Sequence, residues 1–152
     1  MATYVRYAAD GWGVGELVFE EGRLAWHELP RARAEAPSGE HALAERLRSY
    51  FAGGDDDFAD VELDADGWTP FQQDVVAALR RVPRGEVVTY GELAALAGRP
   101  RAQRAAGNIC AHNRFPIVVP CHRVVGANGL GSYGSLGLDY KRRLLALEDV
   151  VF

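Results

Sequence analysis

Apolar and polar residues alternate with a period of two along residues 3–8 ("TYVRYA"), 14–20 ("VGELVFE") and 23–29 ("RLAWHEL"), with glycine-containing turns between the runs. Strand side chains point to opposite faces in turn, so this pattern predicts a short antiparallel meander with one buried face. The period then changes. In "SGEHALAERLRSYFAG" the apolar positions Leu43, Leu47 and Tyr50 recur at helical spacing, with Ser38 as the expected N-cap. "GGDDDFAD" reads as a polar loop and "VELDADG" as a strand leading out, which puts a domain boundary near residues 64–68.

The second half is patterned mainly for helices. "WTPFQQDVVAALRRVP" carries Thr69 as N-cap, Pro70 at the first helical position and Pro83 as a stop. "GEVVTYGELAALAG" follows as a short extended piece, a second N-cap at Thr89, a short helix and Gly98 at its C-terminal end. "RPRAQRAAGNICAHN" is a third helix, so two short helices joined by a glycine-containing turn match a helix-turn-helix. Ala102, Ala105, Ala106 and Gly107 are too small to reach base edges, but they permit close approach to a backbone or a narrow groove. "FPIVVP" reads as an apolar extended segment, "GANGLGSYGSLG" as a glycine-rich loop, and "LDYKRRLLALEDV" as a closing helix. The expected fold is α/β: a small N-terminal α/β domain with antiparallel strands, residues 1–66, then a mainly helical, winged-helix-like domain, residues 67–152.

Composition narrows the class. A chain of 152 residues, 48% hydrophobic and 25% charged, is ordinary for a globular protein able to bury a core. No apolar run nears the roughly 18 residues that a membrane helix needs, so no membrane association is expected. "MATYVRYAADGWG" lacks a basic region followed by a greasy segment, so the expectation is a cytoplasmic protein with reduced thiols. Two cysteines, no CxxC pair and four scattered histidines predict neither a disulfide framework nor a metal site, and no cofactor is implied. His27 and His41 stand alone in the first half and read as ordinary strand or surface residues.

The net charge of −4 hides an asymmetry: residues 1–66 carry 6 Arg/Lys against 15 Asp/Glu, while residues 67–152 carry 11 against 6. No acidic residue occurs between Glu92 and Asp139, and Arg99, Arg101, Arg104, Arg114 and Arg123 all fall there. Such a stretch is either a solvated basic face or a surface for a polyanion. Cys121 lies inside it, in "FPIVVPCHRVVGANG". A nucleophilic cysteine needs a group to take its proton, and His122 is adjacent; the two can cooperate only if the chain turns tightly there. Glu148, on the otherwise apolar "LLALEDV", is a candidate third member, because a carboxylate on a buried side must be paired. From the residues alone, Cys121 is either a packed structural cysteine or the nucleophile of a Cys–His–Glu set.

The pentapeptide "PCHRV", preceded by "NRFPIVV" and followed by a Gly/Tyr loop and "K..LL..E", resembles the O6-alkylguanine-DNA alkyltransferases, and the likeness extends back through "TPFQQDVVAALRRVPRGEVVTYGELAALAGRP". It covers about residues 67–149 and implies damage reversal: transfer of the alkyl group from guanine O6 in double-stranded DNA to Cys121, irreversibly, by a monomer. The resemblance implies that His122 deprotonates Cys121 through a water, that Glu148 orients His122, that Asn113 braces the turn, and that Tyr90 protonates guanine N3. Tyr133, Val124 and Gly134 would line the guanine pocket. Arg104 would fill the stack vacated by a flipped nucleotide, while Arg99, Arg101, Ala102, Ala105, Gly107 and Arg123 would meet the minor groove with little sequence preference.

Three departures from the family pattern stand out. Asn108, Ala111 and His112 occupy the recognition helix where relatives carry a basic residue, "YGSLGLDYK" is one residue longer than the commoner spacing, and the zinc ligands of some relatives are missing. A non-catalytic alkylated-DNA binder would lack Cys121, a winged-helix regulator would carry longer side chains on its second helix, and a Cys–His hydrolase would need an oxyanion hole.

Overall fold

A computed structural model of the chain describes residues 1–151. The chain forms two compact units, one comprising Met1–Asp64 with Arg114–Pro116 and the other Ala65–Asn113 with the residues from Ile117 onward.

In the first unit, β1 (Ala2–Ala9), β2 (Gly13–Glu20) and β3 (Arg23–Arg31) make the expected antiparallel meander, in that order. Glu21 and Gly22 both have positive φ and close the second hairpin in two residues, a turn whose twist matches that of the strands. Val5, Tyr7, Ala9, Leu17, Phe19, Leu24, His27 and Leu29 are buried. A register break between Val18 and Phe19 lets the buried parity of β3 change between Leu24 and His27. Helix α1 (Ala42–Phe51) covers this face with Leu43, Leu47, Tyr50 and Phe51. Its N-cap is His41, whose Nδ1 accepts from the Leu43 amide at 3.0 Å, and not Ser38. Ser38 instead exchanges backbone hydrogen bonds with Arg6, which fixes it as an edge bridge before the helix begins. The strand expected over "VELDADG" reduces to a bridge between Leu63 and Leu24, because only Glu62 and Asp64 find backbone partners on β3.

In the second unit, α2 (Pro70–Leu79) starts at Thr69, whose hydroxyl accepts from the Gln72 amide. The short strand β4 (Val88–Thr89) leads into α3 (Tyr90–Leu96) through a full capping box: the Glu92 amide donates to Thr89 Oγ1 and the Thr89 amide to Glu92 Oε1. Gly98, at φ +89, ends the turn, and α4 (Gln103–Ala111) follows. β4 pairs in parallel with β5 (Val124–Val125), and α5 (Gly137–Leu147) closes the unit on Leu144 and Leu145. No helix among the described residues is long and apolar enough to cross a membrane, and none of their His, Cys, Asp and Glu side chains cluster as a metal site.

Candidate active site

The apolar run before Cys121 does not extend as a strand. Ile117 sits at φ +74, and the Cys121 amide donates to the Val119 carbonyl at 2.8 Å across Pro120, an inverse γ-turn at φ −79 and ψ 65. Cys121–Arg123 then form one 3₁₀ turn. This tight path lets consecutive residues work together, where a strand would point them apart. Asn113 braces it: its Nδ2 donates to the Val119 carbonyl at 2.8 Å and also reaches the Cys121 thiol.

His122 is fully buried, and its Nε2 lies 2.9 Å from Glu148 Oε2. Glu148 caps the C-terminal end of α5, where Asp149 at φ +64 turns the chain out of the helix. An ionised carboxylate can only accept, so Nε2 carries the imidazole proton and Nδ1 is left as the basic nitrogen. Nδ1 is buried with no hydrogen-bond partner among the described residues. Burial alone would push the Glu148 carboxyl up, but bonds from His122 and Arg123 more than offset that and hold it well below the usual range. Burial lowers the His122 pKa despite the pull of Glu148. Burial likewise raises the Cys121 thiol, with Asn113, Lys141 and Tyr133 drawing it back in part. Both shifts favour the uncharged forms, a thiol at Cys121 and a neutral imidazole at His122.

Arg123 corrects the sequence reading. It is buried, with Nε and Nη2 donating to the two oxygens of Glu148 at 2.9 and 2.8 Å and Nη1 donating to the Val82 carbonyl at 2.8 Å. A guanidinium spent in this way cannot reach a phosphate, so Arg123 is part of the carboxylate's setting and not of a DNA surface. Arg99, Arg101, Arg104 and Ala105 are exposed, Ala106 is fully buried, and Ala102 is the N-cap of α4 without a side-chain bond. Arg99 also stacks over the Phe71 ring at 5.1 Å. A Cβ at Gly107 would meet the Tyr90 ring at 3.5 Å, an ordinary van der Waals contact, so this position packs α4 against the start of α3.

Tyr90 opens α3 and is flanked on another side by Gly131, where a Cβ would come within 2.9 Å of the Tyr90 hydroxyl. Tyr133 is half-buried and stacks on Tyr140 at 6.5 Å, while Gly134 is exposed at φ +43. Sequence reasoning missed what Lys141 does. It is fully buried, and its ammonium donates to the carbonyls of Val124 and Leu130 at 2.6 Å each and of Ser132 at 3.1 Å. It also lies 6.0 Å from the Tyr90 ring centroid. The spacing "K..LL..E" was the one available signal, since it sets Lys141 two turns before Glu148 on α5. The Val124 carbonyl, taken by Lys141, keeps one lone pair for another donor.

The profile of the family described as "6-O-methylguanine DNA methyltransferase, DNA binding domain" matches residues 70–150. The chain is 49% identical over 134 residues to a methylated-DNA–protein-cysteine methyltransferase of Mycolicibacterium paratuberculosis, covering 88% of this chain and 75% of that one. The chain belongs to the methylated-DNA–protein-cysteine methyltransferase family. Among solved structures of such methyltransferases, the Mycobacterium tuberculosis O6-methylguanine methyltransferase superposes with a TM-score of 0.81 at 36% identity, over 97% of this chain and 93% of that one. A structure of the same organism's protein in complex with DNA gives 0.78 at 37%, over 96% and 92%. Within this methyltransferase, the unusual recognition-helix residues Asn108, Ala111 and His112 are exposed, and His112 Nδ1 donates to the Asn108 carbonyl at 2.9 Å, tying off the end of α4.

Proposed function

We propose that the protein repairs DNA by direct reversal, moving the alkyl group of O6-alkylguanine onto its own Cys121, one chain per lesion. The sulfur attacks the alkyl carbon in line, so an S–C bond forms as the C–O6 bond breaks. His122 Nδ1 takes the thiol proton through a water, and the Tyr90 hydroxyl gives a proton to guanine N3 as the base leaves. Net, one proton passes from sulfur to guanine and the protein keeps a thioether. The observation that carries this reading is the buried Glu148–His122 pair, whose tautomer leaves Nδ1 basic next to the turn that presents Cys121.

The lesion reaches the thiol only outside the stack, because the O6 substituent lies within the duplex. We assign Arg104 to the space that the flipped nucleotide leaves, Arg99, Arg101 and the N-terminal turn of α4 to phosphates, and Ala102 and Ala105 to close contact in the minor groove. Tyr133, the Val124 carbonyl and the backbone near Gly134 are assigned to the purine. Residues 1–66 serve as a scaffold, and the reducing cytoplasm is the setting that keeps Cys121 a thiol.

Incubation with a duplex carrying one O6-methylguanine should add the mass of a single CH2 to the peptide containing Cys121 and then stop. Cys121→Ser should abolish transfer and leave duplex binding intact. Binding should weaken steeply with added salt, because phosphate neutralisation releases counterions. A Cys121→Ser chain that still removes the methyl group would refute the assignment, and tight binding with an unmodified Cys121 would mark a lesion binder instead.

A further inference from the structure

The first unit contains a buried histidine that the transfer chemistry does not use. His27 on β3 donates its backbone N–H to the Arg114 carbonyl at 2.8 Å, and its Nδ1 lies 2.7 Å from the Pro116 carbonyl. Its Nε2 lies 2.6 Å from the Tyr7 hydroxyl. A carbonyl can only accept, so Nδ1 carries the proton and Nε2 accepts from Tyr7. Burial lowers the pKa of His27 to about 4, which keeps this tautomer neutral at ordinary pH. The arrangement spans all three strands. Tyr7 on β1 stands opposite Gly15 on β2, and a Cβ at Gly15 would come within 2.6 Å of the Tyr7 ring, so the missing side chain makes the room that brings the hydroxyl to His27.

The residues held in this way lie in a telling place in the chain. Arg114–Pro116 directly follow Asn113 and directly precede Ile117, whose φ of +74 is a strained value for a β-branched residue. Such a conformation persists only where its neighbours over-determine it. Asn113 and Val119 fix the far side of the turn, and the carbonyl of Pro116 is fixed by His27.

We propose that His27, set by Tyr7 and Gly15, is a positioning residue for the nucleophile: by fixing Pro116 it holds the strained turn that ends at Cys121. It touches neither substrate nor thiol and acts through the covalent chain. The proposal rests on Cys121 being the acceptor.

The test uses full-length wild type, His27→Leu, His27→Asn and Tyr7→Phe. Each is timed against free O6-benzylguanine and against a duplex with one O6-methylguanine, by intact mass, alongside thermal melting and duplex affinity. His27→Leu should slow transfer about tenfold on both substrates, the worth of one lost hydrogen bond in rate, with duplex affinity unchanged. His27→Asn keeps a donor near the place of Nδ1 and should recover most of the rate, and Tyr7→Phe should fall between. His27→Leu transferring at the wild-type rate overturns the proposal, as do equal losses for the Leu and Asn variants, which would reflect packing alone. If His27→Leu does not fold, Tyr7→Phe decides: a wild-type rate there overturns the proposal and a slowed rate supports it. Wild type that leaves Cys121 unmodified overturns the acceptor assignment and the positioning role together, an outcome separate from all of these.

Discussion

Arg104 and Arg123 belong to one basic run of sequence, yet burial gives them opposite work. Arg104 is exposed on α4, whereas the Arg123 guanidinium is closed over the Glu148 carboxylate. Arg123→Met should leave Glu148 a buried anion short of two donors, at a cost of about 3–5 kcal/mol in stability. With the carboxylate less well held, transfer should slow equally from duplex and from free O6-benzylguanine. Arg104→Ala should leave stability within about 0.5 kcal/mol and slow the duplex reaction far more than the free-base reaction. Melting curves and single-turnover rates on both substrates decide it, and equal losses for Arg104→Ala on the two substrates would remove it from the flipping step. The partner of Glu148 was legible in sequence because an isolated carboxylate on an apolar helix must be paired, and His122 lies 2.9 Å from it; for Cys121 the residues alone left packing and chemistry both open. Arg123 was misread because counting charge is blind to burial. Lys141 looked like spacing alone until three carbonyls were found around its ammonium.

Helix α5 supplies two residues to the site from one rigid element: Glu148 at its end and Lys141 in its first half. Lys141 draws Val124 beside the nucleophile turn together with Leu130 and Ser132 of the glycine-rich loop. Lys141→Met keeps the bulk and removes the donors. Each orphaned buried carbonyl costs about 1–3 kcal/mol, so the loop should open before the helix does. Hydrogen exchange over residues 126–136 should accelerate and transfer should slow, and unchanged exchange there would count against the clamp. Elements whose signals are local were read correctly: Thr69 with Pro70, and Thr89 as an N-cap, announce their helices at the first turn. Ser38 was misread as a cap because backbone pairing with Arg6, distant in sequence, claims it. "FPIVVP", expected as an apolar extended segment, departs from that path for a similar reason. Its apolar content marks burial, but its path is set by Asn113 and a left-handed Ile117, which no periodicity encodes.

Acid acts on the molecule as a whole through the groups it buries uncharged. His27 titrates at about 4 in the folded chain against 6.5 in the unfolded one. Between those values the unfolded state binds more protons, so stability is full above about pH 6.5 and falls as pH drops toward 4, by about 3 kcal/mol in all. His122, lowered by burial, adds a loss of the same sign as pH falls below 6.5. The carboxylates act later. Glu148 is held below 4.5 and Asp56, through its bonds to Arg46, below 3.8, so each loses its contribution only as pH falls from those values toward its lower folded one. Two of the three tryptophans, Trp12 and Trp26, lie in the first unit, so fluorescence-monitored urea unfolding reports mainly on the unit that holds His27. The wild-type midpoint should hold steady above pH 7, decline from 6.5 to 4, and decline further below 4 as Asp56 is neutralised. His27→Leu should be less stable at pH 7 yet fall less steeply than wild type between 6.5 and 4, keeping only the loss due to His122, so that the two curves converge on acidification. Parallel curves with the same slope would mean that His27 is not the buried neutral group described here. The bond to Pro116 would then lose the tautomer on which it depends.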